Sequence, residues 1–297
     1  MADFDCLIVL AIKAGNGFLS SPCYSDFADI LVEHKSHDDS FDKEGGFILL
    51  PSSHKIRRLV YSPVGPVNRD QDDVRRFRDA AYKGVKRAIK AGSEKPIIII
   101  PTIGNIATQY QFYDVATVLG VYEAIYTPIE NRELFGPSRY LKFKHLSFVN
   151  FATEQREKDV FKLAEAIERG RNVARDIGGS DPERMSTINV VSYVKHIFAG
   201  SSIKLEVVED LERIRREFPC LGIVDRGSLS RHSARIIFLS YEPPVGTPVD
   251  TTLCLVGKGV TYDTGGELLL KRDTWVTTFH FRSGCQGRRN HGRDASR

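Results

Sequence analysis

Lys258 and Asp263 stand five residues apart in the stretch Leu253 to Gly266, LCLVGKGVTYDTGG, between an apolar run and a pair of glycines. A carboxylate in such a place can bridge two divalent ions. A lysine can coordinate one only as the neutral amine, the state that a neighbouring dication favours. The pair is therefore an unusual but chemically specific choice for half of a metal site. Two other readings of the same residues stay open. Lys258 and Asp263 can form a salt bridge over a loop. A phosphate-binding loop fits less well, because Lys258 lacks the upstream glycine at Walker spacing and Gly259 stands where Ser or Thr should follow the lysine.

The elements that must position this pair follow from periodicity. Thr251 to Val256 alternates and then runs apolar, as a strand packed on both faces would, and Gly257 and Gly259 bracket Lys258 at its end. Ligands in open α/β sheets gather at the carboxyl ends of strands, where glycines let the backbone approach a bound group. Upstream, strand patterns at Asp5 to Ile12, Phe47 to Leu50, Leu59 to Tyr61, Ile97 to Ile100 and His145 to Phe151 alternate with helical patterns. The helices are expected at Asp70 to Ala91, about Ala107 to Ala124, and Thr153 to Ile177. A second unit continues through Ile203 to Val208, a helix at Leu211 to Phe218 started by Asp210, and Ala234 to Tyr241. Such alternation indicates α/β layers with a largely parallel sheet. The expected organisation is an amino-terminal α/β domain over residues 1–152, an incomplete carboxyl-terminal α/β/α domain over 153–270, and a basic, disordered tail over 271–297.

The stretch VGKGVTYDTGG closely resembles the first metal-binding segment of the leucyl aminopeptidase family, the two-metal cytosolic aminopeptidases. NVARDIGGSDP, residues 172–182, resembles the entry to that family's catalytic domain, and RIIFLSYE, residues 235–242, resembles the strand before the metal strand. The resemblance implies that Lys258 ligates one metal and that Asp263 bridges both. It also implies two divalent ions, zinc or manganese, a peptide substrate cut at its amino terminus, and a homo-hexamer. After Gly266 the pattern departs. The family's second, catalytic lysine falls by spacing on Leu270, with Lys271 one residue late, and a further metal-ligating aspartate aligns with Phe281. The later Asn-Thr-Asp-Ala-Glu-Gly-Arg motif is absent. Two ligands are too few for a two-metal site, so no catalytic residue is assigned and the expectation is a truncated chain with impaired peptidase activity. The alternative is a non-catalytic relative acting through ligand capture or subunit association.

Composition narrows the partners. Residues 271–297 hold seven Lys and Arg against Asp273 and Asp294, a net of +5, while the whole chain is +4, so residues 1–270 carry −1. The basic balance therefore belongs to the tail, and without a basic face on a folded module no nucleic-acid partner is inferred. The run Cys6 to Ile12 is too short to span a bilayer and follows Asp3 and Asp5, so neither a membrane segment nor a signal peptide is read there. Five scattered cysteines without a CxxC pair read as reduced thiols of a cytoplasmic protein. His34 and His37 before Asp38 and Asp39 look like a metal cluster but are read as a solvated loop. Ser180 beside Asp181 is read as turn or cap chemistry, and His232 as part of a polar turn.

Overall fold

A computed structural model describes residues 4–14, 17–18, 25–101, 108–149 and 151–261. The chain divides into two compact units, Met1–Asn172 and Val173–Arg297. The first unit opens with strand β1 (Cys6–Ala11), a small antiparallel pair β2 (Lys13–Ala14) and β3 (Gly17–Phe18), and helices α1 (Ser25–His37) and α2 (Phe41–Glu44). Strands β4 (Gly46–Leu49) and β5 (Arg58–Pro63), helix α3 (Arg75–Lys90) and strand β6 (Pro96–Ile99) follow. Helices α4 (Tyr113–Ile125), α5 (Ile129–Leu134) and α6 (Pro137–Tyr140), strand β7 (Ser147–Val149) and the long helix α7 (Glu154–Gly179) complete the set.

The sheet order is β4-β5-β1-β6-β7, parallel except for β4, which pairs antiparallel with β5 at the edge. All six residues of β1 are buried, which a parallel strand covered on both faces requires. Its two-residue period divides the core. Cys6, Ile8 and Leu10 point into one cluster with Val60, Phe77 and Ile98. Leu7, Val9 and Ala11 point into the other with Leu31, Phe41 and Tyr61. Helix α3 supplies the first cluster through Phe77, Ala81, Val85 and Ala88, spaced as one helical face. It lies so close to α4 that a Cβ added at Gly120 would stand 2.3 Å from the Arg78 carbonyl oxygen. Burial pushes the Cys6 thiol up to about 12, so this sulfur stays protonated in the core.

At the other end of β1, Asp5 accepts hydrogen bonds from Ser93 Oγ at 2.6 Å, Glu94 N at 2.8 Å and Lys95 N at 3.0 Å, with Arg58 Nη1 at 3.3 Å. It thereby fixes the turn from α3 into β6. Partial burial alone would raise its pKa, but the bonds from Glu94, Ser93 and Lys95 and the Arg58 charge outweigh burial and hold it below the ordinary 3.8. A depressed carboxyl contributes stability that is fully present above the unfolded value and lost as the pH falls through the folded one. Asp5→Asn is therefore expected to lower stability at pH 7 by about 1–2 kcal/mol and to flatten the loss of stability below about pH 4. Urea titrations of both proteins at a series of pH values check this. Parallel acid limbs in the two titrations would remove Asp5 as the cause.

The second unit contains the end of α7, helix α8 (Thr187–Ile197), strand β8 (Ile203–Val208), helices α9 (Leu211–Glu217) and α10 (Pro219–Asp225), and strand β9 (Ile236–Tyr241). Asp210 caps α9, its side chain accepting from Glu212 N, as the sequence predicts. Strands β8 and β9 form an antiparallel pair with Ile203 opposite Tyr241 and Val208 opposite Ile236. Their core is small, built on Val208, Ile214 and Ala234.

Three expectations are corrected. Thr251 to Val256 is not a strand, and Leu253, Leu255 and Val256 are 82–91 % exposed. An apolar run takes strand form from cross-strand partners, and residues 251–260 are in no strand pair among the described residues. His34 and His37 lie in helix α1 rather than in a loop, since Phe27, Ile30 and Leu31 give that segment one apolar helical face packed into the second cluster. The pattern at Ala107 to Ala124 resolves into a 3-10 turn, Thr108–Tyr110, followed by α4. The division between the two units falls inside α7, whose Val160 and Ala164 pack with Val115 and Val118 of α4. The tail from 271 lies outside the described residues.

Candidate functional site

The polypeptide reaches Lys258 from β9 through Glu242, Pro243 and Pro244, where Thr247 N donates to the Pro244 carbonyl oxygen at 3.1 Å and closes a turn. Beyond it Gly257, Lys258 and Gly259 are all exposed. A Cβ added at either glycine would meet nothing within 4 Å, so packing does not demand glycine at these two positions. Asp263 lies outside the described residues, as do Leu270 and Phe281. Lys258 is thus the one member of the predicted pair that the structure places.

The segment behind it is held by buried and bridging polar groups that periodicity does not reveal. Asp176, buried near the end of α7, accepts from the Tyr193 hydroxyl of α8 at 2.6 Å. Ser180 Oγ donates to the Asp176 carbonyl oxygen at 2.7 Å, and Asp181 Oδ1 accepts from Glu183 N and Arg184 N, both at 2.9 Å. These are the turn and capping roles expected for Ser180 and Asp181. Glu183 receives Arg231 Nε at 2.9 Å and lies 3.0 Å from His232 Nε2. The Arg231 hydrogen bond leads the effects that hold its carboxyl below the ordinary value. Asp225, also buried, accepts from Ala234 N at 2.6 Å just before β9. The chemistry of this cluster is positional: it ties α7, α8 and the approach to β9 into one frame. Sequence reading missed Asp176 and Asp225, whose one legible signal is a carboxylate inside an otherwise apolar or helical run.

The histidine candidates do not gather. His34 Nδ1 bonds the Ile30 carbonyl oxygen at 2.9 Å within α1, and Asp38 accepts from Ser40 N and Ser40 Oγ. Among the described residues no three His, Cys, Asp or Glu side chains are grouped as metal ligands. With a single lysine amine placed, the described residues do not furnish the donor set of a two-metal centre. Cys6, Cys220 and Cys254 are free thiols. No helix among the described residues is long and apolar enough to cross a membrane.

Known proteins supply the context for this geometry. Residues 172–284 match the catalytic domain of the cytosol aminopeptidase family. The Caenorhabditis elegans protein named "Putative aminopeptidase W07G4.4" is 37% identical over 211 residues, which are 70% of this chain and 39% of that protein. A Corynebacterium diphtheriae protein named "Probable cytosol aminopeptidase" is 21% identical over 267 residues, 89% of this chain and 50% of its own length. Among solved structures, a tomato leucine aminopeptidase mutant is similar with a TM-score of 0.68 at 16% identity, over 89% of this chain and 53% of that one. The bottromycin maturation enzyme BotP, in complex with Mn, gives 0.57 at 15% identity, over 81% and 46%. The chain spans about half or less of the length of these relatives. Its fold is theirs, and through residues 172–284 it belongs to the cytosol aminopeptidase family, the leucyl aminopeptidases.

Proposed function

We propose that the protein serves the reaction class of its family, release of amino-terminal residues from peptides, with Lys258 and Asp263 as the residues that face divalent ions, zinc or manganese. The observation that carries this reading is the position of the KGVTYDTGG stretch inside the segment that matches the family's catalytic domain. The open space around Gly257 and Gly259 supports it, since a bound group needs room there. A cytoplasmic location and a hexameric assembly are proposed on the same family grounds. When bound, the ions would supply Lewis acidity and an activated water. Lys258 would offer an amine lone pair and Asp263 a bridging carboxylate.

Two donors hold a divalent ion weakly. The pair Lys258 and Asp263 is therefore expected by itself to take up Mn2+ only loosely. Paramagnetic broadening of amide signals during a Mn2+ titration locates the binding without recourse to activity. Residues 257–266 should broaden first, and Asp263→Ala should abolish that preference. Broadening centred elsewhere, or unchanged by the substitution, would refute the assignment of the pair.

A further inference from the structure

The first unit holds a cavity of about 590 Å3 that the peptidase reading does not use. It opens beside the carboxyl end of β5, the side of an α/β sheet at which ligands collect, and its volume lies in the range of small-molecule sites. Tyr61, Pro63 and Val67 give it an apolar wall. Four charges also line it, two ammonium groups on Lys35 and Lys43 and two carboxylates on Asp39 and Asp42. Lys35 and Asp42 lie against each other at 2.7 Å. Asp39 and Lys43 are exposed, and neither side chain has a hydrogen bond or ion pair with another of the described residues.

The backbone that carries these two is braced. Asp38 accepts from Ser40 N at 2.8 Å and Ser40 Oγ at 2.7 Å, which fixes the turn holding Asp39. Phe41 stacks on Tyr61 with ring centroids 4.7 Å apart, which fixes α2, and with it Lys43, against β5. Preorganisation of this kind lowers the cost of binding. The charge balance selects the ligand. A phosphate or other multiple anion meets the carboxylates of Asp39 and Asp42, a simple cation meets the lysines, and an uncharged molecule leaves both available charges without partners. A small zwitterion satisfies one of each.

We propose that this cavity binds a zwitterion with an apolar side chain, a free α-amino acid or a dipeptide, its carboxylate on Lys43 and its ammonium on Asp39. The inference stands apart from the peptidase reading, because binding is measured without turnover. The test is saturation-transfer NMR on the full chain with four probes: L-leucine, leucyl-leucine, leucinamide and 4-methylpentanoate. The zwitterions should bind and the two probes that lack one charge should bind about ten-fold more weakly. The stronger of the two zwitterions identifies the source as amino acid or dipeptide. Lys43→Glu and Asp39→Lys, both exposed and safe for the fold, should each weaken the zwitterions about ten-fold, while Lys43→Arg retains them. The proposal is overturned if neither zwitterion binds at ~10 mM, or if binding survives both charge reversals. It is equally overturned if binding is lost in Lys258→Ala instead. A chain that binds leucine here yet shows no metal on residues 257–266 refutes the proposed function alone.

Discussion

Arg156→Ala is expected to destabilise the first unit by about 3 kcal/mol, and Asp114→Ala by roughly half as much. The two residues form a bidentate pair, Nε to Oδ2 and Nη2 to Oδ1, both at 2.7 Å, that joins the first turn of α7 to the first turn of α4. The asymmetry comes from burial. The Asp114 side chain is 6 % exposed and the Arg156 side chain 33 %. Removing the arginine leaves a carboxylate in the interior with, among the described residues, only the Val115 amide, at 2.8 Å, to compensate it. Removing the aspartate leaves a guanidinium that still donates to the Gln111 carbonyl oxygen at 3.2 Å and reaches water on its open side. Chemical denaturation of the full chain, with hydrogen exchange reporting on the β1 and α4 peptides, separates the first unit from the second. Equal losses in the two variants would show that the pair acts as an exposed ion pair, worth under about 1 kcal/mol.

That pair also marks where sequence reading stops. The strands of the five-stranded sheet were legible because their hydrophobic runs are local: β1, β5 and β6 each carry enough buried residues to declare themselves within six positions. Helix α3 was legible because its apolar face repeats over sixteen residues. Helix α1 was not, since its end, with Glu33, His34, Lys35 and His37, advertises solvent while Phe27, Ile30 and Leu31 do the packing. The reverse error occurred at Thr251 to Val256, where composition announces a strand but the partner that would make it one is not local.

The candidate sites divide in the same way. Lys258 could be put forward from the sequence because it lies in a contiguous motif, so that no folding is needed to see it. The cavity beside β5 was invisible in the sequence because its lining comes from the end of α1, from α2, from β5 and from the loop after β5. The antiparallel return of β4 onto β5, with Gly46 opposite Tyr61, brings these segments together. Contacts of that separation in sequence leave no period to read. The frame around Asp176 and Tyr193 is an intermediate case, since the segment 172–182 stands out by resemblance while its buried hydrogen bond does not.

The largest expected effect concerns Lys258 in a chain that carries the family's further metal ligands. A chimera joining residues 1–266 to the sequence that follows the matching stretch in a leucyl aminopeptidase is expected to hold two ions per chain. In that chimera Lys258→Arg should lose one metal equivalent and nearly all turnover with the fold retained. The substitution keeps charge and length, so a salt-bridge role for Lys258 would tolerate it. A guanidinium keeps its proton at any working pH and offers no lone pair, and it would set a fixed positive charge against a dication. Lys258→Met supplies the control, because it removes both the charge and the amine and should lose the same single equivalent. Elemental analysis after gel filtration counts the ions, and far-UV circular dichroism checks the fold. Two ions per chain in the arginine variant would exclude Lys258 as a ligand and leave the ion pair with Asp263 as its role.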